Sequence, residues 1–199
     1  MISNLKNIPT EQEIKAEIKR LQYRETYLRT LKSTFLTIIS VIAAFFLIST
    51  LVLPVFRTYG DAMQPTLKEG QLVVTLRTTK VKTGDLICFY YNNKVLIKRV
   101  IAVGGDTVNI DFISGVVFVN GQALEETYIL SPTHNDFGAE GISYPLTVEK
   151  GHVFLMGDNR NDSYDSRYSG IGQVDKRDIL GKVFFITFIP IYIIGIIFI

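Results

Sequence analysis

The chain has 199 residues, 47% of them hydrophobic, and a mean hydropathy of +0.24, which suits one soluble domain of average size joined to a membrane segment. A net charge of +2, with no basic run longer than a pair such as Lys19-Arg20, provides no basic face for nucleic acid, so none is expected as a partner. A single cysteine, Cys88, excludes an internal disulfide framework and every CxxC metal pattern, and two scattered histidines, His134 and His152, make no zinc site alone, so no metal or other cofactor is expected.

In chain order, the first predicted element is a polar helix. Thr10 and Glu13 are spaced as a capping box, and Ile14, Ile18, Leu21 and Leu28 fall on one helical stripe. Either a solvated or lipid-surface helix or a specific partner site would give that stripe. Residues 33–56, "STFLTIISVIAAFFLISTLVLPVF", carry no charge and at about 1.5 Å per residue are long enough to cross roughly 30 Å of hydrocarbon. A buried core helix has similar composition, but the length favours a span. The run also starts late for a cleavable signal peptide, and no small-residue cleavage site follows it. Arg29 and Lys32 stand at its leading edge, which places the N-terminus in the cytoplasm and everything after the span outside.

Beyond the span the texture changes to short β-branched and aromatic runs: "QLVVTLR", "GDLICFYY", "KVLIKRVIAVGGDTVNI", "GVVFVNGQAL" and "HVFLMGDN". This is a mainly β, antiparallel pattern, with hairpin turns at Asn92-Asn93 and Asn120-Gly121. Residues 104–152 are looser and include the polar stretch "LSPTHNDFGAEGISYP", which reads as an insertion carried on the sheet. Near the C-terminus, residues 182–189 read as a final strand. The apolar residues 190–199 are either membrane-associated or part of a second span.

Three segments carry candidate chemistry. In "VLIKRVIAVGGD", Lys98 and Arg99 interrupt a strand with Leu96, Val100 and Ala102 on the lysine face and Ile97, Ile101 and Val103 on the other. Both side chains could snorkel from an edge strand to water. Alternatively, burial lowers the lysine pKa from about 10.4 towards neutrality and makes an unprotonated general base. "GDNRNDSYDSRYSG", residues 157–170, fails the spacing of a calcium-binding EF-hand. Its Ser163, Asp158, Asp165 and Arg167 make better sense as a shell that orients a lysine and pairs Arg99. "YGDAMQPTLKEGQ", residues 59–71, has the build of a tight loop presenting one small side chain, and that residue is Ala62.

Together these segments resemble the type I signal peptidases, the membrane-bound serine-lysine proteases that remove signal peptides from exported preproteins. "GDAMQPTL" is similar to the nucleophile box G-D-S-M-x-P-T-L, "TGDLICF" to the third box, "KRVIAVGGD" to the base box and "GDNRNDSYDSR" to the last. The resemblance implies a signal-peptidase and LexA-like antiparallel β-fold with a small inserted β region, behind an amphipathic and a transmembrane helix. The implied organisation is a cytoplasmic helix over 1–32, a span over 33–56, a catalytic β-domain over 57–103 and 153–189, an insertion over 104–152 and the tail. The implied location is the cell membrane, single-pass, with signal peptides and the lipid bilayer as partners.

The resemblance also implies the roles. Ala62 stands where the family carries its nucleophilic serine, Lys98 is the general base, and Ser163 hydrogen-bonds that lysine. Asp165 and Arg167 form a supporting ion pair, and Asp158 faces Arg99. The N–H of residue 62 would help hold the oxyanion; some members add a serine hydroxyl where this chain has Gly60. Substrate would bind by strand addition, with Met63, Leu67 and Ile97 lining the pocket for the residue before the cut and Gly60 and Asp61 shaping the loop beside it. Ordinary core packing is the other reading of those three apolar residues.

Without a hydroxyl at position 62 the chain as written is expected to be inactive, since losing the nucleophile of another serine protease costs roughly 10⁶ in turnover. Thr66, past Pro65, is a poor substitute. Two explanations stand: a deliberate Ser→Ala exchange that traps substrate or prevents self-cleavage, or a natural non-catalytic assembly factor or chaperone for exported surface proteins. Retention of Lys98 and the Ser163 shell favours the first. A self-cleaving transcriptional regulator shares the Ser-Lys β-domain, but needs a DNA-binding domain where this chain has its apolar run.

Overall fold

The computed structural model describes residues 10–188, so the 190–199 tail, and the question of a second span, lie outside the described residues. The chain divides into an N-terminal helical unit and a β unit that begins at residue 51.

Helix α1, Glu11–Val52, is a single helix of 42 residues. Glu13 reaches back to accept from the Thr10 backbone N–H at 2.7 Å and from its hydroxyl at 2.9 Å, which supplies the backward half of the expected capping box. The polar stripe and the apolar run therefore form one rod. It is long and apolar enough to cross a membrane; at about 1.5 Å per residue it exceeds the thickness of a bilayer core. The helix stops at Val52, short of the residue 56 expected for the span. Pro54 has no N–H to continue the ladder and disfavours helix at the residue before it. Val55 and Phe56 belong instead to the first strand.

The β unit has eleven strands among the described residues: β1 Val55–Arg57, β2 Leu72–Leu76, β3 Leu86–Tyr91, β4 Lys94–Val103, β5 Thr107–Asp111, β6 Val116–Val119, β7 Gln122–Ala123, β8 Leu146–Thr147, β9 His152–Met156, β10 Val174–Asp175 and β11 Ile179–Thr187. They form a seven-stranded sheet, β1-β2-β11-β3-β4-β9-β10, and a four-stranded sheet, β7-β6-β5-β8, and every pairing is antiparallel. Asn92 and Asn93 (φ +45° and +60°) and Asn120 and Gly121 (φ +54° and +78°) make the two expected tight hairpins, since such turns need left-handed backbone at both central positions. The final strand starts earlier than residue 182, at Ile179, and ends at Thr187. The short strands β8 and β10 carry no apolar run in the sequence, and β1 begins inside the run expected to be the span.

β4 and β9 are neighbours in the large sheet, and the small sheet is the excursion between them. Val108, Ile110, Val117 and Val148 of that excursion pack on Ile101, Ala102, Phe154 and Met156 of the large sheet, forming one core. The expected alternation along β4 fails in this region. A bulge between Val100 and Ala102 shifts the register against β9, so Ile101 and Ala102 both enter the core under the insertion. Val103 joins Leu96 and Val100 in the second core. The extra residue turns the strand over, so period-two reasoning assigns Ala102 and Val103 to the wrong faces.

Candidate active site

The loop that follows β1 is tied shut at its base: Thr58 N–H donates to the Gln71 carbonyl at 2.8 Å and Gly70 N–H to the Thr58 carbonyl at 3.0 Å. Within it, Gly60 takes φ +72°, a left-handed conformation that side chains disfavour. Gln64 donates to the Asp61 carboxylate at 2.6 Å and Leu67 N–H to the Met63 carbonyl at 2.8 Å. Met63 and Leu67 are buried with Val73, Cys88 and Val183, with Ile97 packed against the group. Ala62 is half-buried, its carbonyl accepting from Asn159 N–H at 3.1 Å.

Lys98 lies on β4 and is 4% exposed; its Nζ donates to Ser163 Oγ at 2.8 Å. Burial pulls its pKa down to about 8. Asp165, Asp158 and Asp162 pull the other way, and Arg167 adds to the lowering. The snorkelling alternative is thus not what the fold adopts for this lysine.

Ser163 is held by the loop of residues 157–167. Asp165 and Arg167 are fully buried and paired by two parallel bonds, Nε to Oδ1 and Nη2 to Oδ2, both 2.8 Å. Burial raises the Asp165 carboxyl, but the Arg167 guanidinium and its hydrogen bonds outweigh this and hold it below the usual carboxylate range. Asp165 also accepts from Gly157 N–H at 2.9 Å, and Arg167 donates to the Arg160 carbonyl at 2.6 Å. A Cβ on Gly157 would stand 2.2 Å from Ser163 Oγ and 2.5 Å from the Ala62 carbonyl oxygen. That glycine is what lets the residue-62 loop and Ser163 approach each other.

Arg99 leaves β4 on the other face and binds Asp158 bidentately, Nε at 2.7 Å and Nη2 at 2.6 Å. Thr66 donates its hydroxyl to the same carboxylate. The carboxylate therefore joins all three segments, and the Thr66 hydroxyl is committed to a structural bond.

Several partners were invisible in the sequence. The Tyr128 ring lies 3.9 Å from the Arg99 guanidinium carbon. Arg160, also fully buried, pairs with Glu126, and donates to Thr133 Oγ1 at 3.0 Å and the Gly157 carbonyl at 3.1 Å. A buried arginine requires a carboxylate, but nothing in the pattern singles out Glu126, 34 residues away, from Glu125, Asp136 or Glu140. The insertion thus holds the 157–167 loop from behind.

In front of these groups is a cleft of about 670 Å³, lined by Gly60, Ala62, Met63, Leu67, Ile97 and Lys98 together with residues 55–59 and 94–96. Asp61 is exposed beside it. The cleft's two walls are strand edges. β1 is the margin of the large sheet, and β4 pairs with β3 from Lys94 but with β9 only from Arg99, which leaves the outer edge of 94–98 unpaired. A row of free N–H and C=O groups on each side suits an added strand. No cluster of metal-ligating side chains occurs among the described residues.

The family pattern for "Signal peptidase, peptidase S26" matches residues 31–188. A probable signal peptidase I-1 of Synechocystis is 35% identical over 140 residues, which cover 63% of this chain and 66% of that protein. Signal peptidase I of Bacillus licheniformis is 33% identical, covering 65% of this chain and 73% of that one. Signal peptidase IB of Staphylococcus aureus is 32% identical over 168 residues, 74% of this chain and 86% of that one. Among solved structures, a signal peptidase I from Enterococcus faecalis is similar at 31% identity over 53% of this chain and 97% of that one, with a TM-score of 0.44. Over more than half of its length this chain carries that family's sequence, and it belongs to the signal peptidase family, peptidase S26.

Proposed function

We propose that this chain is built to remove signal peptides from exported preproteins with a Ser-Lys dyad, and that it carries an inactive form of that site because position 62 is alanine. The observation that carries this reading is the buried Lys98 amine, bonded to Ser163 and lining the same cleft as Ala62. In the active form a serine hydroxyl at position 62 passes its proton to the neutral Lys98 amine as its oxygen attacks the scissile carbonyl. The lysine then returns the proton to the leaving amine, and water hydrolyses the ester in a second round. The N–H of residue 62 donates to the developing oxyanion. Ser163 fixes the amine, and the Asp165–Arg167 pair fixes Ser163. Arg99 and Asp158 hold the base strand against the loops.

The preprotein segment before the cut lies as a strand between β1 and β4, with small side chains towards Met63, Leu67 and Ile97. Helix α1 anchors the enzyme in the bilayer that also holds the preprotein, with its N-terminus in the cytoplasm and the β unit outside. The shared membrane raises the local concentration of a weakly held peptide.

Restoring Ala62→Ser tests this. The restored chain should cleave a preprotein, with a rate that rises with pH through about 8 as Lys98 loses its proton. Adding Lys98→Ala should abolish cleavage. If the restored chain binds preproteins but never cuts them, the peptidase reading fails and the binding-only assembly factor takes its place.

A further inference from the structure

The cleft has a charge pattern that the chemistry does not use. Its lining contains three cations, Arg57, Lys94 and Lys98, and no carboxylate. Lys98 is committed to Ser163. Arg57 and Lys94 are exposed, and neither forms an ion pair among the described residues. The Arg57 guanidinium carbon lies 5.9 Å from the Tyr59 ring centre.

Both cations lie on the walls of the cleft. Four successive antiparallel pairings connect β1 to β2, β11, β3 and β4, so β1 and β4 run in the same direction. Both walls lead towards the catalytic centre, β1 into the loop that presents residue 62 and β4 to Lys98. Arg57 precedes position 62 by five residues and Lys94 precedes Lys98 by four. Lys94 to Lys98 is continuous strand, so at about 3.3 Å per residue Lys94 stands roughly 13 Å before Lys98; Arg57 is the last residue of β1, just before the chain bends into the loop that carries residue 62. A peptide strand along β4 advances at the same rise, so its residue four or five places from the cut passes Lys94, in the cleft that Arg57 also lines.

We propose that Arg57 and Lys94 form an anion-selecting pair that takes a carboxylate side chain four or five residues before the scissile bond. This rests on the peptidase reading, which puts the pre-cut segment in the cleft. A peptide rather than a lipid headgroup is favoured because both cations line the cavity bounded by the two free strand edges, where a strand is the fitting occupant. An acid there neutralises the like charges of the two cations that line the cleft. It also fixes the register of the strand, so that the bond to be cut lies at position 62.

The Ala62 chain suits the test, because a bound peptide is not consumed. Labelled peptides with alanine one and three places before the cut, carrying Glu, Gln or Lys four and five places before it, are titrated against the full chain in an uncharged detergent. The Glu peptide should bind roughly fivefold more tightly than the Gln peptide, and the Lys peptide more weakly than both. The spread should shrink towards about 1 M salt. Arg57→Gln with Lys94→Gln should equalise the three, and Arg57→Glu with Lys94→Glu should reverse their order. Equal binding of the three peptides to the unaltered chain overturns the proposal, as does an order that survives charge reversal. If the Gln pair weakens binding to anionic phosphatidylglycerol vesicles and leaves the peptide order unchanged, the cations serve the lipid and the proposal falls. If no peptide of any charge binds, the peptidase reading falls, and this inference with it.

Discussion

The 157–167 loop and the 94–98 wall of β4 border the same candidate site and are built in opposite ways. The loop is closed: Asp165, Arg167, Arg160 and Asp158 are fully buried, and each charge is answered by a bidentate pair, Asp165 with Arg167 inside the loop, Arg160 with Glu126 of the insertion and Asp158 with Arg99 of β4. The wall is open: among the described residues its backbone edge and the Lys94 amine have no partner, and apolar side chains face a cleft. Buried charge tolerates only one arrangement, because losing a partner strands an ion in low dielectric. An open edge accepts many sequences, because its bonds go to main chain. In the proposed function the chemistry is thus fixed in place before substrate arrives, while recognition is left to be completed by the substrate's own backbone.

Substitutions on the two sides should separate sharply. The largest effect is expected from Arg167→Met, which leaves the buried Asp165 carboxylate unpaired; denaturant titration should show a loss of about 3–5 kcal/mol. Gly157→Ala comes next, because the new methyl group collides with Ser163 Oγ and the Ala62 carbonyl. A cost of about 1–3 kcal/mol is expected, together with loss of peptide binding as the residue-62 loop is pushed away. On the open side, Arg57→Gln and Lys94→Gln should each change stability by less than about 0.5 kcal/mol, because both cations are exposed and neither has an ion pair among the described residues. A loss at the wall as large as that at Arg167 would erase the distinction.

Legibility in the sequence follows the same division. The long strands and both tight hairpins follow from local pattern, since alternation and Asn-Asn or Asn-Gly turns are properties of adjacent residues. The four motif segments come from resemblance, and in space they meet around Lys98. What escaped reading depends on distance or on a local irregularity. The bulge at residues 100–102 is set by pairing with β9 and reverses two side chains that alternation assigns confidently. Tyr128 on Arg99 and Glu126 on Arg160 join segments about 30 residues apart, and no periodicity links them. The end of α1 was legible in Pro54, but the composition of the apolar run carried the expected span past it. Gly157 reads in sequence as a turn former; only the positions of Ser163 and Ala62 reveal that its missing side chain is the requirement.

The account turns on Lys98 being a buried amine that gives up its proton near neutrality, and this can be measured without turnover. Nitrogen-15 NMR of labelled lysine side chains in the Ala62 chain, assigned by comparison with Lys98→Met, follows the Nζ signal directly as pH is raised. A midpoint at about 8 is expected for Lys98, well below the value of about 10.4 of a free lysine side chain. A Lys98 midpoint at the ordinary value would contradict it.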